Sequence, residues 1–193
     1  MPARLPILLL ALLLSACAPA APSPVATSLA TLDPASQLSL RPLQLLKLEP
    51  GTPCPRAHGR QVNPAYGIAI GDGPVYAAGF GNDGILNVSI PAPTETPFYG
   101  SEWSGARVLW LVDPAYRGPI LIRGGRLDGS GPLRFDTGAE PLPELRLDPL
   151  SSGSLDWRSR ETYTRLRAPG CYMYQVDGLS FTETIIFEAK SQP

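Results

Sequence analysis

Short apolar runs separated by turn-forming residues fill the chain after Cys54, and this pattern restricts the possible folds more than any other feature of the sequence. Gly, Pro, Asn and Asp residues lie between the runs, and no window keeps a helical period. The nine runs are 66–70, 75–80, 85–90, 107–112, 120–123, 133–135, 162–167, 172–176 and 181–187. Runs of this length and spacing are typical of sandwiches and barrels. We therefore expect an all-β fold, an antiparallel β-sandwich of the immunoglobulin-like kind.

Four Asp-Gly dipeptides favour tight hairpin turns, because both residue types tolerate positive φ. They are Asp72-Gly73, Asp83-Gly84, Asp128-Gly129 and Asp177-Gly178. The last one separates two alternating runs, 171–176 and 179–187. These runs should form an antiparallel hairpin, with Tyr172 and Tyr174 on one face and Cys171 and Met173 on the other.

One face of each strand should be buried between the two sheets. The residues expected there are Tyr66, Ile68, Val75, Val108, Trp110, Ile120, Ile122, Met173 and Ile185. Among them Trp110 lies within the strongest apolar run, 108–112, which predicts a position in the core.

The N-terminus carries the clearest targeting signal. Residues 5–14 form an apolar stretch of ten residues, too short for a spanning helix, which needs about 20. Leu14-Ser15-Ala16-Cys17 follows and resembles the lipobox of bacterial lipoprotein signal peptides. The resemblance implies cleavage before Cys17 and lipidation of its thiol, which would anchor the protein to a membrane on the extracytoplasmic side of the bacterial cell envelope. The alternative is an ordinary secretory signal with an incidental cysteine.

Composition divides the remainder into two parts. Residues 17–37 are rich in Ala and Pro and are expected to form a tether after the signal peptide of residues 1–16. A single β-sandwich domain should then cover residues 38–193. Its first part, 38–55, contains several prolines and should run extended along a sheet edge.

Four spans resemble a group of secreted bacterial proteins, often lipoproteins, that have a Cys-Pro near the start of the domain and a Gly-Cys-aromatic near its end. They are 41–55, 107–112, 122–129 and 169–172. Ala168-Pro169-Gly170, which overlaps the last of these spans, also resembles the turn into the penultimate strand of immunoglobulin-like domains. The resemblance implies the fold and the pairing of the two cysteines, and it implies no catalytic activity.

Once Cys17 is assigned to a lipid, Cys54 and Cys171 remain, and an even pair in an oxidising compartment predicts one disulfide. We expect Trp110 to pack against it, as the core Trp does in immunoglobulin domains. The alternative is a reactive thiol or a metal site at Cys54 and His58. That pair supplies two ligands where zinc needs three or four, so no metal or other cofactor is expected.

The residue inventory argues against several functions. The chain has 16 basic and 17 acidic residues, and a net charge of −1 predicts no nucleic-acid partner. His58 is the single histidine, and no Gly-x-Ser-x-Gly or Ser-x-x-Lys motif is present. Paired carboxylates remain open, and Glu183, on the face of Phe181 and Ile185, is the one candidate that can be named. A rim position on a partly exposed strand is the favoured interpretation of that residue.

Aromatic residues on loops are the remaining functional candidates. Residues 98–105 combine Phe98, Tyr99 and Trp103 with turn formers, and Trp157 lies beside charges. Exposed rings on sandwich loops can bind sugars or partner proteins, whereas buried rings would close the ends of the core. We take Tyr99, Trp103 and Trp157 as candidate binding residues.

A set of arginines among acidic residues is expected to hold loops in place rather than to bind an anion. The arginines are 117, 123, 126 and 134, and the acidic residues are 113, 128 and 136.

These observations favour a lipid-anchored, non-enzymatic β-sandwich that serves as a binding or structural module of the envelope, with a glycan or an envelope protein as partner. Two alternatives stay open. One is a carbohydrate-binding module that uses the tryptophan loops, and the other is an envelope glycan hydrolase that uses carboxylates.

Overall fold

A computed structural model describes residues 32–148 and 156–192. It contains one short helix, α1 (Pro34–Ser39), and eleven strands. The strands are β1 (Arg60–Asn63), β2 (Gly67–Ile70), β3 (Val75–Ala78), β4 (Ile85–Ser89), β5 (Ser104–Val112), β6 (Ile120–Arg126), β7 (Arg134–Phe135), β8 (Leu145–Leu147), β9 (Arg158–Leu166), β10 (Gly170–Gly178) and β11 (Phe181–Gln192).

Two sheets form the domain. The six-stranded sheet has the order β1-β2-β3-β5-β9-β7, and the five-stranded sheet has the order β4-β11-β10-β6-β8. All neighbours are antiparallel except β4 and β11, which run parallel. The all-β sandwich expected from the sequence is confirmed.

Aromatic residues fill the space between the sheets. The Tyr174 ring lies 5.0 Å from Trp110 and 4.7 Å from Phe187, measured between centroids. Trp110 Nε1 donates to Thr162 Oγ1 at 3.0 Å, and the Tyr174 and Thr164 hydroxyls lie 2.7 Å apart. Each buried polar group of these two aromatic residues therefore has a partner, which removes the cost of burying it.

Six of the nine residues expected between the sheets are buried there: Val75, Val108, Trp110, Ile120, Ile122 and Ile185. The prediction was wrong for Met173, which is buried on the opposite face of β10. It was also wrong for Tyr66 and Ile68, which are only half-buried. The β2 residues that are buried are Ala69 and Ile70.

Each predicted run overlaps a strand, but β1 and β8 have no counterpart among the predictions. β1 (Arg-Gln-Val-Asn) is polar and pairs only with β2 at the edge of its sheet. β8 is three residues long and has Arg146 at its centre. Neither has enough apolar residues to mark a strand.

The four Asp-Gly dipeptides do not all close hairpins. Asp72-Gly73 joins the paired strands β2 and β3, whereas Asp83-Gly84 joins strands of different sheets. The hairpin of β10 and β11 is confirmed, but its turn is Leu179-Ser180, because Asp177 pairs with Thr182 inside the ladder.

Helix α1 begins within the segment that the sequence assigns to a tether. The Asp33 carboxylate caps it by accepting from the backbone N–H of Ala35 and of Ser36, and Leu38 is buried. Six residues are too few to show a helical period, so the pattern could not predict it.

Residues 41–54 cross the outer face of the five-stranded sheet rather than following an edge, which corrects the sequence-based expectation. Gln175 Oε1 accepts a hydrogen bond from Gln44 N at 2.8 Å, and Gln175 Nε2 donates one to Pro42 O at 3.0 Å. Leu48 N donates to Leu127 O at 3.1 Å. We call this stretch the crossing segment.

The disulfide ends the crossing segment. Cys54 is bonded to Cys171 with the Cα atoms 5.5 Å apart, as predicted. The bond packs with Leu127 and Met173 on the outer face of the sheet, whereas Trp110 lies in the inner core. The expectation that Trp110 packs against the disulfide was therefore wrong, since this bond does not join the two sheets.

Candidate functional site

The loop before β5 holds Phe98 inward and Tyr99 outward. Phe98 is buried, with its ring centroid 5.2 Å from that of Tyr163, while Tyr99 is 63% exposed. The loop follows β4 and its cis Ile90-Pro91 bond and leads directly into β5. One aromatic side chain therefore fixes the loop, and the next one faces solvent.

Arg165, a buried residue of β9, supports this loop. Its side chain is buried, and its guanidinium carbon lies 4.0 Å from the Phe98 ring centroid. Its Nη1 donates to the carbonyls of Asp136 and Gly138, both at 3.0 Å, and its Nη2 donates to Trp103 O at 2.8 Å. Burial lowers the pKa of the guanidinium. These contacts join the loop before β5 to the loop after β7.

Two guanidinium groups lie over the Trp103 ring. The carbon of Arg167 lies 4.2 Å from the ring centroid and that of Arg134 lies 5.8 Å from it. Arg167 also pairs with Glu102 at 2.6 Å. The Trp103 side chain is 8% exposed, so it supports the loop and offers little surface to a ligand.

A groove of about 430 Å³ opens beside this loop. The residues that line it include Tyr99, Glu102 and Glu140. We call this site the Tyr99 groove. An exposed ring beside carboxylates can stack on an apolar surface of a ligand while the carboxylates accept hydrogen bonds from hydroxyl or amide groups.

The structure does not bring Trp157 to the Tyr99 groove. Trp157 is half-buried against Tyr76, with a centroid distance of 5.8 Å, just before Arg158 at the start of β9. Trp103 lies just before Ser104, which pairs with Leu166 at the other end of β9. Nine strand residues separate the two positions, about 30 Å, so the two rings cannot form one site.

Glu183 is buried beneath the turn between β2 and β3. Its Oε1 accepts from Asp72 N at 2.6 Å and from Gly73 N at 3.1 Å. Oε2 has no partner within the described ranges, and burial raises the pKa of the carboxyl. The carboxylate therefore holds a turn, and it is less exposed than the rim position favoured from the sequence.

The arginines hold loops through carboxylates, backbone carbonyls and aromatic rings. Arg126 pairs with Asp128 at 2.6 Å, as their interleaving suggests, but Arg123 pairs with buried Asp177 at 2.7 Å. Arg158 donates to Tyr116 O and Asp148 O, both at 2.9 Å. Sequence reasoning missed Arg165 and Arg167 at the loop site, because their partners Trp103 and Glu102 lie more than 60 positions away in the chain.

The other sequence-based candidates fall elsewhere. Cys17 lies outside the described residues, and Cys54 is in the disulfide, so it cannot join His58 in a metal site. In residues 32–148 and 156–192, no three His, Cys, Asp or Glu side chains are grouped closely enough to hold a metal ion. The same ranges contain no helix that is long and apolar enough to cross a membrane.

Comparison of the chain with protein-family models, with curated proteins and with solved structures found no match.

Proposed function

We propose that this protein is a binding module attached to the outer side of a bacterial membrane through lipidated Cys17, and that the Tyr99 groove is its recognition site. The proposed anchor rests on the Leu14-Ser15-Ala16-Cys17 motif. The proposed site rests on one observation, which is the exposed Tyr99 ring on a loop held from below by Arg165.

Rigidity of the loop supports recognition. A loop that is already held in place loses little conformational entropy when a ligand stacks on its exposed ring. Phe98 and Trp103 are buried at either side of Tyr99, and the guanidinium groups of Arg165 and Arg167 pack on their rings. The loop that carries Tyr99 is therefore held in place before a ligand arrives.

A glycan is the ligand class that the groove fits best. The apolar face of a sugar ring can stack on Tyr99, and its hydroxyls can donate to the carboxylates of Glu102 and Glu140. A protein loop with an exposed proline or aromatic ring is the second candidate, favoured by the same exposed Tyr99 side chain.

The structural role of Glu183 favours recognition over hydrolysis. This carboxylate accepts two backbone hydrogen bonds at a turn, so a substrate would have to displace them to reach it.

A glycan array followed by titration of the best ligand tests the site. Tyr99→Ala should weaken binding about tenfold, because the ring supplies the stacking surface. Leu142→Ala, at another exposed apolar side chain, and Trp157→Ala, at the other end of β9, should leave affinity unchanged.

Equal binding by Tyr99→Ala would reject the groove as the site. Turnover of an envelope glycan that is lost in Glu183→Gln would reject recognition in favour of an enzyme.

A further inference from the structure

Exposed leucines concentrate on the crossing segment and its immediate surroundings. Eight large apolar side chains are exposed in residues 32–148 and 156–192, and five of these lie between positions 32 and 46. Leu40 is 71% exposed, Leu46 53% and Leu43 39%. Leu179 is also exposed, and its carbonyl accepts from Arg41 Nη2 at 3.0 Å. We call Leu40, Leu43, Leu46 and Leu179 the leucine surface.

These leucines do not serve the packing of the crossing segment. Leu45 lies against Gly125 and Leu48 packs beside the disulfide, so these two side chains attach the segment to the sheet. An apolar groove of about 570 Å³ remains open between Leu43, Leu46 and Pro132. Exposed apolar side chains grouped beside an open apolar groove are typical of an interaction site.

We infer that the leucine surface rests on the lipid bilayer to which the proposed anchor attaches the protein. This inference builds on the proposed lipidation of Cys17. Residues 18–31 separate Cys17 from the described chain, and they would span roughly 20 Å as a coil and at most about 50 Å fully extended. The described chain begins at Leu32, shortly before Leu40, so this connection keeps the leucine surface within reach of the bilayer.

The local charges favour an apolar rather than an electrostatic contact. Arg41 lies 3.8 Å from Asp177, and Arg126 pairs with Asp128. Lys47 and Glu49 carry opposite charges two positions apart. Arg123 shares Asp177 with Arg41, so these groups leave a single positive charge in excess. Attachment should therefore depend little on anionic lipids and vary little with salt.

This contact would set the orientation of the whole domain. The crossing segment covers the outer face of the five-stranded sheet, whereas the loop of Tyr99 leads into β5 of the six-stranded sheet. With the leucine surface on the bilayer, the six-stranded sheet and its loops face away from the membrane. The Tyr99 groove is then presented to ligands outside.

Depth measurements on the full-length protein in phosphatidylcholine vesicles test this orientation. Leu46→Cys carries one fluorophore, and Leu142→Cys, at an exposed leucine off the crossing segment, carries the matched control label. The disulfide cysteines do not react with the label. A quencher attached to the lipid chains should quench position 46 about threefold or more over position 142.

Two further variants sharpen the test. Adding Leu40→Ser and Leu43→Ser to the labelled protein should reduce the quenching at position 46, while the melting temperature stays the same because both side chains are exposed. Leu40→Ser alone should give a smaller reduction, which keeps the test valid if the double variant is unstable. Raising the ionic strength should change none of these values.

Equal quenching at positions 46 and 142 would overturn the inference. So would a loss of quenching at high salt, or a concentration-dependent dimer that shields position 46 from an aqueous quencher without vesicles. Failure of the proposed anchor has a different signature, since unlipidated Cys17 would take up a second fluorophore and appear as added mass.

Discussion

At the scale of single residues, several buried polar side chains of this protein bond to groups far away in sequence. Thr162 accepts from Trp110, and Arg165 bonds three carbonyls on two loops. Because each hydrogen bond spans separate elements, one side chain can stabilise more than its own strand. The effect of a substitution at such a position should therefore be large.

Trp110→Ala should lower the free energy of unfolding by about 3–5 kcal/mol, because the ring fills the centre of the core and its loss leaves a cavity and an unpaired Thr162 hydroxyl. Chemical denaturation measures this change. Trp157→Ala is the matched control, since Trp157 is half-buried in a satellite cluster, and it should cost clearly less. Equal losses in both variants would contradict the assignment of Trp110 to the core.

Glu183 should make stability depend on pH. Burial raises the pKa of its carboxyl above the ordinary value of 4.5, so the folded state holds the proton more tightly than the unfolded state. Its contribution is present at low pH and is lost as pH rises from about 4.5 through the raised pKa. Relative to Glu183→Gln, the wild-type free energy of unfolding should therefore fall across that window.

Denaturation of both proteins at several pH values between about 4 and 7 checks this sign. If the stability difference stayed constant with pH, the fold would leave the pKa of Glu183 unchanged, and if the wild type gained stability with rising pH, the fold would lower that pKa. Either result would contradict the prediction.

At the scale of elements, the crossing segment is held by one covalent bond, a few polar contacts and the apolar contacts of Leu45 and Leu48. Asp177 is buried and receives hydrogen bonds from Arg123 at 2.7 Å and from Thr182 at 2.7 Å. Arg123 also donates to Arg41 O at 2.7 Å. The start of the segment is thus held by a buried ion pair and its end by the disulfide.

Replacing Cys54 and Cys171 together by Ser should cost about 2–5 kcal/mol, because the bond closes a loop with a sequence separation of 117. Denaturation measures the loss, and Cys17→Ser is the control that leaves this bond in place. Hydrogen exchange should rise first in residues 41–54 while β5 and β9 stay protected. A loss of protection in β5 at the same rate would mean that the disulfide supports the core itself.

Strand positions were predictable from the sequence to the extent that strands have an apolar face. β5 and β10 follow that rule, whereas the polar edge strand β1 and the three-residue β8 do not. The cysteine count predicted the disulfide, but not that it lies on an outer face. A period-two pattern places Cys171 opposite Tyr172 without showing which face of the sheet meets the other sheet.

The candidate site was predictable only in part. Turn formers around Phe98, Tyr99 and Trp103 indicated an aromatic loop, yet which ring faces solvent depends on Arg165 and Arg167 from β9 and the turn after it. Those contacts join residues more than 60 positions apart in the chain. The residues next to Tyr99 in the sequence therefore do not indicate these contacts.

At the scale of the whole molecule, the lipid anchor is the prediction with the clearest measurement. Intact mass of the membrane-extracted protein should show a chain that begins at Cys17 and carries added diacylglycerol. Cys17→Ser should lack that mass. A wild-type protein with a free Cys17 thiol would contradict the anchor without affecting the assignment of the disulfide.

The position of the disulfide also determines how this protein bears mechanical load. A pull on the chain from its N-terminal side can peel residues 32–53 off the sheet, which releases about 75 Å of chain. The pull then reaches Cys54, where the covalent bond passes the load to Cys171 at the start of β10, a strand flanked on both sides by β6 and β11. The disulfide therefore limits how far the chain can extend under this load, and the layer between the two sheets stays closed.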